Sequence, residues 1–255
     1  MSVSQQASSR ELYLSGLKSM RRGALLHVVS EILGLIGSVL LLLLVPFVSL
    51  TTWTWYGEPP WEAIREMLPI LVVIAALLVA AFILWLTGLW GFFVPGASRV
   101  GKANPEFSTA ATLIRIGYFW GILVLLISLV VIGVVAAYAI VTKSPSILIA
   151  LLGLIPVLLV CTILVLVGYV GLLVLVYKFH ELERIGLYLA VFILLILNLV
   201  LGFVVFVPYT GVVIVPSEAI SLVAWILLYV ALGESSRRAQ QAPSTPPQPT
   251  VLPPV

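Results

Sequence analysis

Aspartate is missing from this chain. All ten acids are glutamates, and there are only two histidines and one cysteine, Cys161. With no aspartate, an aspartyl phosphate, an aspartyl dyad and a Walker B metal ligand are excluded. A single cysteine rules out an internal disulfide and leaves the redox compartment unread. No P-loop, HExxH, CxxC or GxSxG occurs. No enzyme activity and no cofactor are therefore expected. Charge is scarce as well: 9% of the 255 residues, against about 25% in a soluble domain.

What fills the chain is apolar, at 62% of residues. A soluble fold cannot hide that much apolar surface, so lipid must cover part of it. Six apolar runs are long enough to cross about 30 Å of hydrocarbon at about 1.5 Å per helical residue. They lie at 23–48, 67–94, 109–142, 146–177, 185–207 and 217–233. The dyad alternation of a barrel is absent. Backbone groups in lipid need internal partners, so the runs are helices. The expected fold is an all-α polytopic bundle of six transmembrane helices.

Residues 1–22 read as an N-terminal region outside the bilayer, and 235–255 as a proline-rich, extended tail. Ser8 and Glu11 fit a capping box opening an amphipathic helix over 10–22. That helix lies on the lipid interface or simply prolongs the first span. Trp53, Trp55, Tyr56 and Trp61 suit the head-group layer. Pro156 should kink the fourth span.

The cations fall on one side. Arg10, Lys18, Arg21, Arg22, Arg99, Lys102, Arg115, Lys178, Arg184, Arg237 and Arg238 share it, leaving Arg65 and Lys143 opposite. This positive-inside bias places both termini in the cytoplasm. An even number of spans agrees, since it puts both termini on one side. The basic side should meet anionic head groups. No direct nucleic-acid binding is expected.

Three odd helices open alike, at Arg21-Arg22-Gly23, Arg115-Ile116-Gly117 and Arg184-Ile185-Gly186. The even helices return through Gly88-Leu-Trp-Gly91, Gly168-Tyr-Val-Gly171 and Trp225…Tyr229…Gly233. Three tandem helical hairpins would give this pattern. An Arg and a small residue at any membrane entry would give it too. Gly34 with Ser38, Gly117 with Gly121, and Gly168 with Gly171 are small residues that permit close helix contact, within one chain or between chains.

The stretches GLKSMRRGALLHVVSEIL, LIRIGYFWGILV, YKFHELERIGLYLAVFIL and AWILLYVALGESSRR, with the proline-rich end, resemble an archaeal multi-spanning family of unknown function, DUF973. The resemblance covers most of the chain and implies an archaeal plasma membrane. It brings no activity or catalytic residue with it.

Glu31 stands nine residues past Arg22, about 13 Å into the membrane by helix rise. A charged, unpaired carboxylate there costs a few kcal/mol. His27, Glu31, Gly34 and Ser38 form one helical stripe. Thr87 and Tyr169 come at similar depth and could donate to Glu31, as could His27. Asn198 lies mid-membrane in the fifth span, with Ser128, Cys161 and Thr162 at comparable depth. Glu218, after Pro216-Ser217 at the outer mouth of the sixth span, reads as a helix cap suited to the dipole, with an outer ion-binding acid as the alternative. Two functions fit. One is a membrane scaffold or assembly component, binding itself or other membrane proteins. The other is a small channel or transporter with Glu31, His27 and Asn198 lining a path.

Overall fold

The computed structural model describes residues 3–54, 61–142, 155–205 and 214–241. These form six helices. Helix α1 is Val3–Thr54. Helix α2 covers 61–103: Trp61–Leu86, a π-helical turn at Thr87–Phe93, and Val94–Ala103. A 3-10 turn, Pro105–Phe107, leads into α3 over 108–142, which carries its own π turn at Arg115–Gly121. Then come α4, Ile155–Glu183, α5, Gly186–Val205, and α6, Ile214–Gln241.

Five spans are long and apolar enough to cross a membrane: Ala7–Leu44, Leu68–Ala103, Pro105–Val135, Pro156–Glu183 and Pro216–Gln241. The described apolar stretch of α5, Gly186–Gly202, is shorter. The chain is a multi-spanning membrane protein of the all-α class. The tail from 242 onward, Lys143 with the tight turn after it, and Trp55 and Tyr56 lie outside the described residues.

Each helix packs on its chain neighbours, and α1 packs on α6, so the bundle closes as a ring. The core gathers at one end. Leu17, Met20, Phe93, Val100, Phe107, Ile114, Leu175, Phe179, Tyr188 and Leu232 are buried there. Phe107, Phe179 and Tyr188 stack in series, with centroids 4.6 and 5.0 Å apart. Towards the opposite end the apolar side chains face outward, as with Val130 at 66% and Val134 at 64% exposure. In a bilayer, lipid can cover such outward-facing apolar surface.

Residues 10–22 prolong α1. The helix begins at Val3, ahead of the Ser8–Glu11 capping box, whose cap is therefore not used. Leu17 and Met20 are fully buried in the bundle, so this stretch packs on protein. Ser9 donates to the Ala103 carbonyl at 2.9 Å. Pro156 lies in α4 next to residues 143–154, which are outside the described residues, so the kink expected there is not tested. Arg184 takes a left-handed conformation, φ 53°, between α4 and α5. Its N–H donates to the His180 carbonyl at 2.9 Å and closes α4.

Candidate functional site

The polar groups of the apolar region meet along the seam of α1 with α6, and α5 joins from the other side. The two long helices run antiparallel, so their residues pair in rungs. Lowest, the His27 ring stacks on Trp225 at 4.0 Å between centroids, with Trp85 edge-on at 6.0 Å. One turn up α1, the Glu31 Oε1 accepts from the Ser221 hydroxyl at 2.8 Å. Higher still, Ser38 donates to the Glu218 Oε1 at 2.8 Å. From Glu31 to Ser38 is about 10 Å along the axis. The spacing that puts Glu31 and Ser38 on one stripe of α1 puts Ser217, Glu218 and Ser221 on the facing side of α6.

Asn198 enters from α5. Its Oδ1 accepts from the Ser217 hydroxyl at 2.8 Å. Tyr169 of α4 donates to the Leu195 carbonyl at 2.7 Å, one turn before Asn198 on α5. Four helices thus contribute polar groups to one seam. The Glu218 Oε2 is buried and finds no hydrogen-bond partner among the described residues. The same holds for both ring nitrogens of His27, which is fully buried.

The expected donors to Glu31 are not the ones found. Thr87 is exposed and donates to the Ile83 carbonyl of its own helix at 2.8 Å, since the hydroxyl lies on the outer side of the π turn. Tyr169 is committed to Leu195. His27 turns its face to Trp225, and stacking leaves Glu31 to the serine. Ser128 and Thr162 also bond back within their own helices, and Cys161 is a buried apolar residue. Glu218, read as a cap, is the second acid of the seam. The sequence reading did not find Ser217 and Ser221 as seam donors. Their i, i+4 spacing beside Glu218 is the signal that would have found them.

A model for proteins of unknown function, DUF973, matches residues 13–254. The chain belongs to the DUF973 family. Neither the curated proteins nor the solved structures yield a match. In this DUF973 chain the family match spans every helix that builds the seam.

Glycine contacts hold two of the DUF973 hairpins. Gly16 and Gly23 of α1 meet Gly96 and Gly88 of α2; a Cβ on Gly23 would stand 2.7 Å from the Gly88 carbonyl oxygen. In α3 and α4, a Cβ on Gly117 would collide with the Gly168 backbone. One on Gly121 would lie 2.9 Å from the Leu164 Cβ, and one on Gly171 2.7 Å from the Ile114 nitrogen. The third hairpin differs. Gly186 meets nothing within 4 Å, and side-chain hydrogen bonds join α5 to α6 instead. Gly34, expected to pack, also faces open space; Gly37 approaches α2 in its place, at Leu78. A stripe position three residues away points in another direction once the partner helix is fixed.

The basic residues collect at the packed end, and most are exposed: Lys18, Arg22, Arg99, Lys102, Arg115, Arg184, Arg237 and Arg238. Lys178 pairs with Glu181 at 2.7 Å and Glu106 at 3.6 Å. Arg10 donates to the Ala239 and Gln240 carbonyls at the end of α6. Arg21 turns inward onto Tyr229, with its Nη2 3.0 Å from the hydroxyl.

Proposed function

We propose that this protein binds a proton or a small monovalent cation in the α1–α5–α6 seam and passes it between the seam and the outer side of the plasma membrane. The observation that carries the reading is a seam with an acid on each facing helix, Glu31 accepting from Ser221 and Glu218 from Ser38, with the Glu218 Oε2 unpartnered among the described residues. Two carboxylates at this depth need a neutralising proton or cation. Asn198 and the serine oxygens supply neutral oxygen ligands of the kind hard cations accept. The basic end lies in the cytoplasm, by the positive-inside rule. The protein carries out no covalent chemistry.

A second reading, a membrane scaffold or assembly component, is favoured by one feature. Ser221, Ser38 and Ser217 each donate to a seam acceptor, which is how interhelical glue is built. His27 and Trp225 close the seam below, so a conducting path would have to open there.

Proteoliposomes carrying a pH-sensitive dye separate the two. On the transport reading, an imposed pH or Na+ gradient decays faster than in protein-free liposomes. Glu31→Gln and Glu218→Gln each return the rate to the protein-free value. A wild-type rate equal to that of protein-free liposomes would leave the scaffold reading. That reading in turn requires a defined oligomer in native mass spectrometry.

A further inference from the structure

A second polar feature lies outside the seam, where α1 leaves the packed end. Arg21 rests against α6. Its Cζ sits 4.5 Å above the Tyr229 ring centroid, and its Nη2 bonds the Tyr229 hydroxyl. Room for the guanidinium comes from Gly233, since a Cβ there would stand 3.2 Å from both Cζ and Nε. Among the described residues no carboxylate pairs with Arg21. The nearby acid of α6, Glu234, is taken by Arg237 and Arg238 at 3.1 Å each. The Arg21 Nε is buried and has no acceptor. Tyr229, Gly233 and Ser236 share one face of α6 at i, i+4 and i+7. Ser236 is 6% exposed, and its Oγ also lacks a partner.

A guanidinium placed over an aromatic ring keeps its charge and part of its donor fork free. A half-buried cation without a counter-anion is costly, and an oxyanion that pairs with it removes the cost. Lys18 and Arg22 stand one turn before and next to Arg21 on α1, both exposed, and add attraction at the rim.

We propose that the Arg21–Tyr229–Gly233 notch binds a single phosphate group. Its chemistry is that of a tetrahedral oxyanion, carried by an anionic lipid head group or by inorganic phosphate. The inference is independent of the seam, because the notch shares no residue with it.

The test uses the full chain in detergent micelles, with phosphatidylglycerol as probe and native mass spectrometry as readout. Wild-type protein should retain one phosphatidylglycerol per chain. Arg21→Gln should weaken retention by about tenfold or more, the scale of a lost charged hydrogen bond. Gly233→Ala, which crowds the guanidinium without removing charge, should weaken it too; this second variant serves if Arg21→Gln does not fold. The double variant Lys18→Gln, Arg22→Gln should stay within a few-fold of wild type, as expected for rim charges. Inorganic phosphate then identifies the source. Displacement of the lipid means the notch takes free phosphate as well, and retention means it reads the head group. Equal loss in Lys18→Gln, Arg22→Gln and in Arg21→Gln would reduce the notch to diffuse basic charge and overturn the proposal. So would wild-type retention in both Arg21→Gln and Gly233→Ala, or no binding of either probe by wild type.

Discussion

Ser221 is the side chain on which the position of Glu31 depends. Its hydroxyl is buried and donates to the carboxylate from the facing helix. Ser221→Ala should destabilise the protein by about 1 kcal/mol, the usual scale of an interhelical hydrogen bond in a membrane. Thermal unfolding in micelles measures it. Thr87→Ala should leave stability within about 0.5 kcal/mol, because that hydroxyl is exposed and bonds only its own helix. The α1 stripe of His27, Glu31 and Ser38 was legible from periodicity alone. Which residue would answer Glu31 was not. Depth fixes a residue's height in the bilayer but leaves its direction around the helix open. Thr87 and Tyr169 have the right height and the wrong direction. Glu218 was legible as a helix cap or an outer ion-binding acid, but its place opposite Ser38 is set by how α6 packs on α1.

Between helices, glycine sets the distance. Gly117 and Gly168 bring the α3 and α4 backbones into direct contact, beside the π turn of Arg115–Gly121. A π turn widens the helix by one residue and leaves carbonyls off the regular ladder. The Tyr118 carbonyl of this turn accepts from the Trp90 indole at 3.0 Å, which ties it to the π turn of α2. Gly117→Ala must push α4 outward, and overpacking of this kind costs about 1–3 kcal/mol or more. Gly34→Ala meets open space and should be neutral or slightly stabilising, since Ala is the better helix former by up to about 1 kcal/mol. Thermal unfolding of the two variants side by side checks the contrast. The Arg-x-Gly pattern at 21–23, 115–117 and 184–186 falls at or near the start of each odd span, as tandem hairpins or plain membrane entry would both give. It did not reveal that the third is built differently. Arg184 lies in the turn with a left-handed backbone, and Gly186 packs on nothing.

Across the whole molecule, the two ends of the chain are tied together at the packed end. Glu183, the last residue of α4, accepts from the Tyr13 hydroxyl at 2.6 Å and from Ser235. Ser235 in turn meets the Tyr188 hydroxyl at 2.6 Å. Arg238 donates to the Glu183 carbonyl at 3.1 Å. One carboxylate therefore joins α1, α4 and α6, with α5 bound through Ser235. Glu183→Ala leaves the half-buried Tyr13 hydroxyl without its acceptor, which costs about 1 kcal/mol. The loss should show as faster proteolysis of the N-terminal end of α1 than in wild type, and unchanged cleavage would count against the tie. The all-helical, multi-spanning architecture was legible because hydrocarbon thickness dictates length and backbone pairing dictates helix. The unbroken course of α1 was less so, because residues 10–22 carry an amphipathic pattern that suits a lipid surface and a bundle end equally well.

The transport reading rests on the two seam acids acting as one site that exchanges its proton or cation with water. Difference infrared spectroscopy of the carboxyl bands, in purified protein reconstituted in lipid, tests this most directly. The bands should respond to pH or to added Na+, and Glu31→Gln should alter the response of Glu218 as well as remove its own. Bands that stay fixed across pH and in every salt, with Glu218 indifferent to Glu31→Gln, would make the seam a sealed strut and contradict the account.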